Sequence, residues 1–206
     1  MRSLGDILYN FHWVLPGEAA RMAQPWAGGY RAFLERRGIK AIVNLRGRND
    51  DLSWWKNETA TAAALGIPHF DAMMDSRKLP TQAMLMRLME VFAEAPHPFV
   101  AKCSGGQDRT SLAMALYLVF RNGWQALPQA RAQFARWPYL HNPKRHQRWP
   151  KPFLDFAAED AHGAPLADWV ARGYSPEKLK SWLDARGMGD FYDKIFTVPT
   201  RSPHQW

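Results

Sequence analysis

A chain of 206 residues with 47% hydrophobic residues, ten Trp and eleven Phe can bury one sizeable core, which excludes a disordered or low-complexity protein. Its single cysteine excludes an internal disulfide and any Cys-x-x-Cys redox or zinc site, and fits a reducing compartment, by default the cytoplasm. The formal charge of +8 favours anionic ligands, yet the basic residues are spread without a nucleic-acid motif, so nucleic acid is not an expected partner.

In chain order, Leu8 to Leu15 alternates loosely, Pro16-Gly17 turns, and Ala19 to Met22 returns, which predicts a hairpin at a sheet edge. The apolar start is broken by Asn10 and His12 and has no clear cleavage site, so no export signal is expected. Tyr30 to Arg37 reads as a helix closed by Gly38, and Ala41 to Leu45 as a buried strand. Trp54 to Leu65 reads as a helix stopped by Gly66, and Ile67 to Phe70 as a short strand. A helix capped by Thr81 follows, with Leu85, Leu88, Met89 and Phe92 on one face. The β-branched and aromatic run Pro98-Phe99-Val100-Ala101 leads into the cysteine loop, and a helix spans Thr110 to Arg121. The longest apolar run, Leu112 to Phe120, is too short to cross a bilayer.

Ala126 to Trp137 is a further helix, after which the composition turns polar and basic and Trp149-Pro150-Lys151-Pro152 resists regular structure. Helices then return: Ser175-Pro176-Glu177 is an N-cap, an N1 proline and an early acid, with Leu179, Trp182 and Leu183 as the apolar stripe. Pro199 to Trp206 reads as a loose end. His141 and His146 lack a neighbouring carboxylate or third histidine at ligand spacing, so no metal is expected there. Alternating strands and helices predict an α/β fold whose mostly parallel sheet points its C-terminal ends at the cysteine loop.

That loop, Lys102-Cys103-Ser104-Gly105-Gly106-Gln107-Asp108-Arg109-Thr110, carries the chemistry. A strand, a glycine-rich turn and a helix N-terminus in succession converge backbone N–H groups on one point, where an anion binds. Gly105 and Gly106 permit the curved backbone this needs, and Arg109 offers a planar fork to two phosphate oxygens. A thiol needs such a setting, because a helix N-terminus and a guanidinium lower its pKa and release the nucleophilic thiolate. Thr110 places a hydroxyl where it can stabilise the sulfur as a leaving group. The alternative is a buried structural cysteine beside a strand–helix turn, with no chemistry.

Cys103 through Arg109 is Cys-x5-Arg, and with Gly106 and Thr110 it resembles the active-site loop of the cysteine-dependent protein tyrosine phosphatases, dual-specificity branch. The segments Asn10 to Gly17, Gly38-Ile39-Lys40 and Val43 to Gly47 are similar to the N-terminal half of a bacterial and fungal subgroup of atypical members. The resemblance implies a phosphomonoesterase acting through a phosphocysteine, with no cofactor. Residues 1–140 would form the phosphatase core and 141–206 a helical C-terminal extension packed on it as a single domain. Ser104, Gly105, Gly106, Gln107 and Lys102 would bind substrate, joined by Arg46 from beyond a strand. The chain departs from the family at Lys102, where a histidine is usual, and at Ser111, where a glycine is common.

The leaving group also needs a proton donor. Asp75, in the loop after a strand and ahead of a helix, is similar in position to the family's acid loop and is the favoured candidate over Asp71, at the strand end. Asp108 is a third, since Asp-Arg-Thr closing the loop resembles myotubularin-type and some bacterial phosphatases. The expected substrate is phosphotyrosine-like, on a protein or small molecule. An inositol phosphate or phosphoinositide is the second reading, and a catalytically weak phosphate-binding module or a rhodanese-type sulfur transferase are readings from other classes.

Overall fold

A computed structural model describes residues 3–25 and 29–194. Five strands, β1 (His12–Leu15), β2 (Ala19–Ala23), β3 (Ala41–Asn44), β4 (His69–Asp71) and β5 (Phe99–Cys103), form one sheet in the order β1-β2-β5-β3-β4. The β1–β2 hairpin is antiparallel and every other pairing is parallel, so the expected α/β architecture and edge hairpin are present. Because β2, β3, β4 and β5 run the same way, residues 24, 45–48, 72–75 and 104–107 all leave the sheet at one edge.

Strand alternation divides the core between the two faces. Ala19, Val43, Phe99 and Ala101 pack with α4 (Gln82–Glu94), α5 (Asp108–Asn122), α7 (Pro150–Asp160), α8 (Leu166–Arg172) and α9 (Pro176–Ala185). Ala20, Met22, Ile42 and Val100 pack on the other face with Phe33 and Leu34 of α2 (Tyr30–Arg36) and Ala62 of α3 (Ser53–Leu65). Phe153, Phe156, Trp169 and Tyr174 of the C-terminal helices and their connection join the same apolar cluster as Phe99. Among the described residues, no helix is long and apolar enough to cross a membrane.

Several boundaries differ from the sequence expectation, each for a local reason. The expected alternating run from Leu8 becomes a strand only at His12, and Leu8 instead ends helix α1 (Leu4–Leu8), which Ser3 caps: Ser3 Oγ accepts from Asp6 N while Asp6 Oδ2 accepts from Ser3 N. The expected helix over Ala126 to Trp137 is confined to a 3₁₀ turn at Trp124–Ala126 and α6 (Leu127–Ala132). Conversely, the stretch expected to resist structure opens α7 at Pro150. Proline is tolerated in a first turn, where the missing N–H would have had no helical acceptor. Thr81 and Ser175 cap α4 and α9 as their sequences imply, accepting from Met84 N and Lys178 N. The expectation for Pro199 to Trp206 lies outside the described residues.

Candidate active site

Cys103 is the last residue of β5 and Asp108 the first of α5, so residues 104–107 turn the chain between a strand end and a helix N-terminus. Three successive carbonyls of this turn are bonded from outside. Ser104 O accepts from Gln24 N at 3.1 Å, Gly105 O from Asn10 Nδ2 at 3.3 Å, and Gly106 O from Arg21 Nη2 at 2.9 Å. A trans peptide is planar with its C=O and N–H opposed, so carbonyls drawn outward turn the following N–H groups inward. Gly106 is obligatory in this packing. Its φ is +63°, and a Cβ would lie 2.7 Å from Ala23 N and from the Met22 carbonyl carbon.

Cys103 sits beneath the turn, only 3% exposed. Burial pushes its thiol up, but the Arg109 charge, the Thr110 hydroxyl and the amides of Thr110 and Gln107 together bring it below its ordinary value. Thr110 Oγ1 is buried and makes no hydrogen bond of ordinary geometry, so its interaction with the sulfur is a dipole contact rather than a formed bond. Arg109 Nη2 donates to Ser104 Oγ at 3.0 Å, which holds the guanidinium over the turn.

Arg46, just past β3, arrives at the same place. Its guanidinium lies 3.6 Å over the Trp54 ring and donates from Nη1 to Gln24 Oε1 at 3.1 Å. Burial and then repulsion by Arg109 lower its pKa while Cys103 and Glu58 oppose the shift, so it shares the electrostatic field of the cysteine loop. Arg48 instead bonds Asp50 at the surface.

Lys102 requires a correction. Alternation along β5 sends Cys103 and Lys102 to opposite faces, and the lysine side chain is fully buried, so it cannot meet substrate in this arrangement. Its Nζ lies 2.7 Å from Glu58 Oε2 and donates to Gln24 Oε1 at 2.7 Å. Glu58 is bonded in turn by His69 Nε2 at 2.7 Å and by Gln24 Nε2 at 2.9 Å. Burial lowers Lys102 to about 8 against the attraction of Glu58, while Glu58, despite burial, is held low by His69 and Lys102. This polar network underlies the turn and fixes Gln24, whose own amide holds Ser104.

The three aspartates have different surroundings. Asp71 at the end of β4 accepts from Asn44 Nδ2 at 2.6 Å and faces Trp55 Nε1 with both oxygens at 3.2 Å, a saturated structural position. Asp108 turns toward the 134–141 segment, with Oδ1 buried 3.2 Å from His141 Nε2 in a contact too poorly aligned to count as a hydrogen bond. His141 Nδ1 faces Phe134 O at 3.2 Å; a carbonyl only accepts, so that nitrogen carries its proton. Asp75 accepts on Oδ1 from Arg77 N at 2.7 Å and Lys78 N at 3.1 Å, which leaves Oδ2 outside this turn.

The sequence reading missed Asn10 as a loop anchor, and also Arg21, Gln24, Glu58 and Trp54. Arg21 carried a legible signal, a charge in the middle of an otherwise apolar five-residue strand. It is fully buried, with Nη1 on Gln133 O and Oε1 at 2.9 and 3.0 Å and Nη2 also on Ser111 Oγ at 2.8 Å. Burial lowers its pKa to about 10, partly offset by Tyr139 and Cys103. Gln24 and Asn10 gave no such signal, because polar residues beside turns are commonplace.

The fold, a five-stranded and mostly parallel sheet flanked by helices with the cysteine loop at one sheet end, is shared with solved structures of phosphatases. Among solved structures, TpbA of P. aeruginosa is similar at 19% identity and a TM-score of 0.58, over 80% of this chain and 92% of that one. The Siw14 catalytic core is similar at 19% identity and a TM-score of 0.55, over 87% and 92%. PTPMT1 is similar at 16% identity and a TM-score of 0.52, over 74% and 98%. No family model matches the chain, and no curated protein matches it.

Proposed function

We propose that the protein hydrolyses phosphomonoesters through a phosphocysteine at Cys103. The observation that carries this reading is the cradle itself: three loop carbonyls tied outward over a thiol whose pKa is lowered by Arg109 and two amides. The thiolate attacks phosphorus while Arg109 and the inward N–H groups hold the equatorial oxygens. As the sulfur–phosphorus bond forms and the phosphorus–oxygen bond breaks, the leaving oxygen takes a proton from Asp75. Water then attacks phosphorus, returns a proton to Asp75, and expels the thiolate, which Thr110 stabilises. Phosphate is released and both groups are restored.

Asp75 is preferred over Asp108 because its Oδ2 is not engaged by the turn, whereas Asp108 directs Oδ1 into a buried contact with His141. A phosphotyrosine-like ester is the proposed substrate; TpbA, whose fold this chain shares at 18% identity and a TM-score of 0.54, has been crystallised with pTyr. A specific feature favours a second reading, an inositol phosphate: Arg46, just past β3 at the same sheet end as the cysteine loop and held there by Gln24 and the Trp54 ring, is a second cation for a second phosphoryl group. The PP-IP phosphatase SIW14 from S. cerevisiae has a similar fold at 18% identity and a TM-score of 0.52. A thiolate nucleophile survives in a reducing compartment, and we assign the protein to the cytoplasm on that ground.

The test is phosphate release from a panel of phosphotyrosine peptides, phosphoserine peptides, phosphoinositides and soluble inositol phosphates by wild type and Cys103→Ser. The proposal expects turnover of at least one class by wild type and none by the variant. Binding of phosphate without turnover of any ester would instead make the protein a phosphate-binding module.

A further inference from the structure

The segment bearing Asp75 is gripped along its length by the C-terminal part of the chain. Trp149, fully buried at the head of α7, donates its indole N–H to Ser76 O at 3.2 Å, and Gln147 Nε2 donates to Ser76 Oγ at 3.1 Å. The backbone N–H of Asp193 donates to Arg77 O at 2.8 Å, and Tyr174 Oη donates to Pro80 O at 2.6 Å. Gln82 Nε2 reaches the carbonyls of Val170 and Ala171 in α8 at 2.9 and 3.0 Å. The 193 segment is itself anchored, since the adjacent Tyr192 is buried and donates its hydroxyl to Asp184 Oδ1 at 2.9 Å.

Two of these bonds fall on the peptide units that orient the aspartate. One unit gives its carbonyl, Ser76 O, to Trp149 and its amide, Arg77 N, to Asp75 Oδ1. The next gives Arg77 O to Asp193 N and Lys78 N to Asp75 Oδ1. Each unit is a rigid plane with its two polar groups opposed, so fixing the carbonyl from the C-terminal side fixes the N–H that holds the carboxylate. Four hydrogen bonds thus run in two relays from the C-terminal region to one carboxyl oxygen.

We propose that the C-terminal helices and the segment through residue 193 clamp the acid loop, with Trp149 and the Asp193 amide as positioning groups for Asp75. The inference rests on Asp75 being the leaving-group acid of the proposed reaction. A loop already tied in place has no ordering entropy left to lose when substrate arrives, and its acid stays aligned with the leaving oxygen. The helical extension then contributes to chemistry without touching substrate.

The full-length chain tests this with Trp149→Phe, which keeps an aromatic ring but loses the indole N–H, and with Asp193→Pro read against Asp193→Ala: both lose the carboxylate that lies 3.8 Å from His146 Nδ1, and only the proline also loses the backbone N–H. Each is assayed on phenyl phosphate, whose leaving group needs protonation, and on p-nitrophenyl phosphate, whose leaving group hardly does. A misplaced general acid should lower kcat/KM on phenyl phosphate by about tenfold or more and on the nitrophenyl ester by less than about twofold. In an Asp75→Asn background neither substitution should cause a further loss. Equal losses on both esters, or a full additional loss in the Asp75→Asn background, would overturn the clamp. Should Trp149→Phe fail to fold, Asp193→Pro decides alone. A wild type that turns over neither of these esters nor any member of the phosphopeptide and inositol phosphate panel, or a Cys103→Ser variant as active as wild type, would remove the phosphatase reading and the clamp together. That outcome is distinct from an active enzyme whose variants do not discriminate between leaving groups.

Discussion

Replacing Gly106 by alanine should disable the cradle while leaving every charged group of the site in the sequence. The new Cβ would meet Ala23 N and the Met22 carbonyl carbon at 2.7 Å and Met22 O at 2.8 Å, all backbone atoms. A carbon needs roughly 3.5 Å from such atoms, so the turn must retreat by about 0.7 Å or more. Strand β2 cannot yield instead, because Met22 and Ala23 are paired with Lys102 and Cys103 of β5. Holding alanine at φ near +63° costs about 1–2 kcal/mol. A retreating Gly106 also breaks its hydrogen bond from Arg21 Nη2; Ser111 Oγ still accepts from that nitrogen, but one buried guanidinium N–H and the Gly106 carbonyl lose their partner, which costs about 1–3 kcal/mol. A total destabilisation of about 2–5 kcal/mol is therefore expected, read as a lower midpoint in urea unfolding. Phosphomonoester turnover should fall by at least tenfold in protein that remains folded at 25 °C. A Gly106→Ala protein with wild-type midpoint and wild-type turnover would refute the reasoning that the outward carbonyls and the close contact to β2 build the site.

The buried pair gives a second outcome. Lys102→Met strands Glu58 without its ammonium partner and should cost about 3–5 kcal/mol in urea unfolding, whereas Lys102→Met with Glu58→Leu should recover most of that loss. A single variant within 1 kcal/mol of wild type would show that the pair is not holding this region. For Cys103, alkylation by iodoacetamide should follow a thiolate titration below that of an ordinary thiol, and Arg109→Met should move it upward, because Arg109 is the largest favourable influence. An unshifted profile in Arg109→Met would contradict the assignment. The linked stability has a definite sign: with the folded thiol lowered, the unfolded state binds more protons between the two pKa values. The stability of wild type relative to Cys103→Ser should therefore rise with pH toward the unfolded thiol's pKa, and the gain should disappear as pH falls through the folded value.

Much of the fold was legible because local signals agreed with tertiary ones. The Ser175-Pro176-Glu177 cap, the Gly66 helix stop and the apolar strand centred on Ile42 each determine their own element, and the structure keeps all three. The Cys103-to-Thr110 loop was legible because glycine, cysteine, arginine and hydroxyl lie in one contiguous stretch. What was not legible depends on packing across distant segments. Lys102 is adjacent to the nucleophile in sequence, yet strand pleating turns it to the opposite face and into a pair with Glu58, forty-four residues upstream. Asn10, Arg21 and Gln24 hold three consecutive loop carbonyls from two other segments, a convergence that parallel pairing of β2 with β5 creates and spacing cannot reveal. The environment of Asp75 was equally hidden, since Trp149 and Asp193 approach it from more than seventy residues away.

The central claim is that Cys103 carries the phosphoryl group. Its most direct measurement is a rapid denaturing quench of wild type during turnover of a phosphomonoester, followed by mass spectrometry of the peptide containing Cys103. The mechanism predicts phosphate on that cysteine, in an amount that increases in Asp75→Asn if hydrolysis of the intermediate becomes limiting. Undiminished turnover by Cys103→Ser, or a phosphoryl group found on another residue, would contradict it.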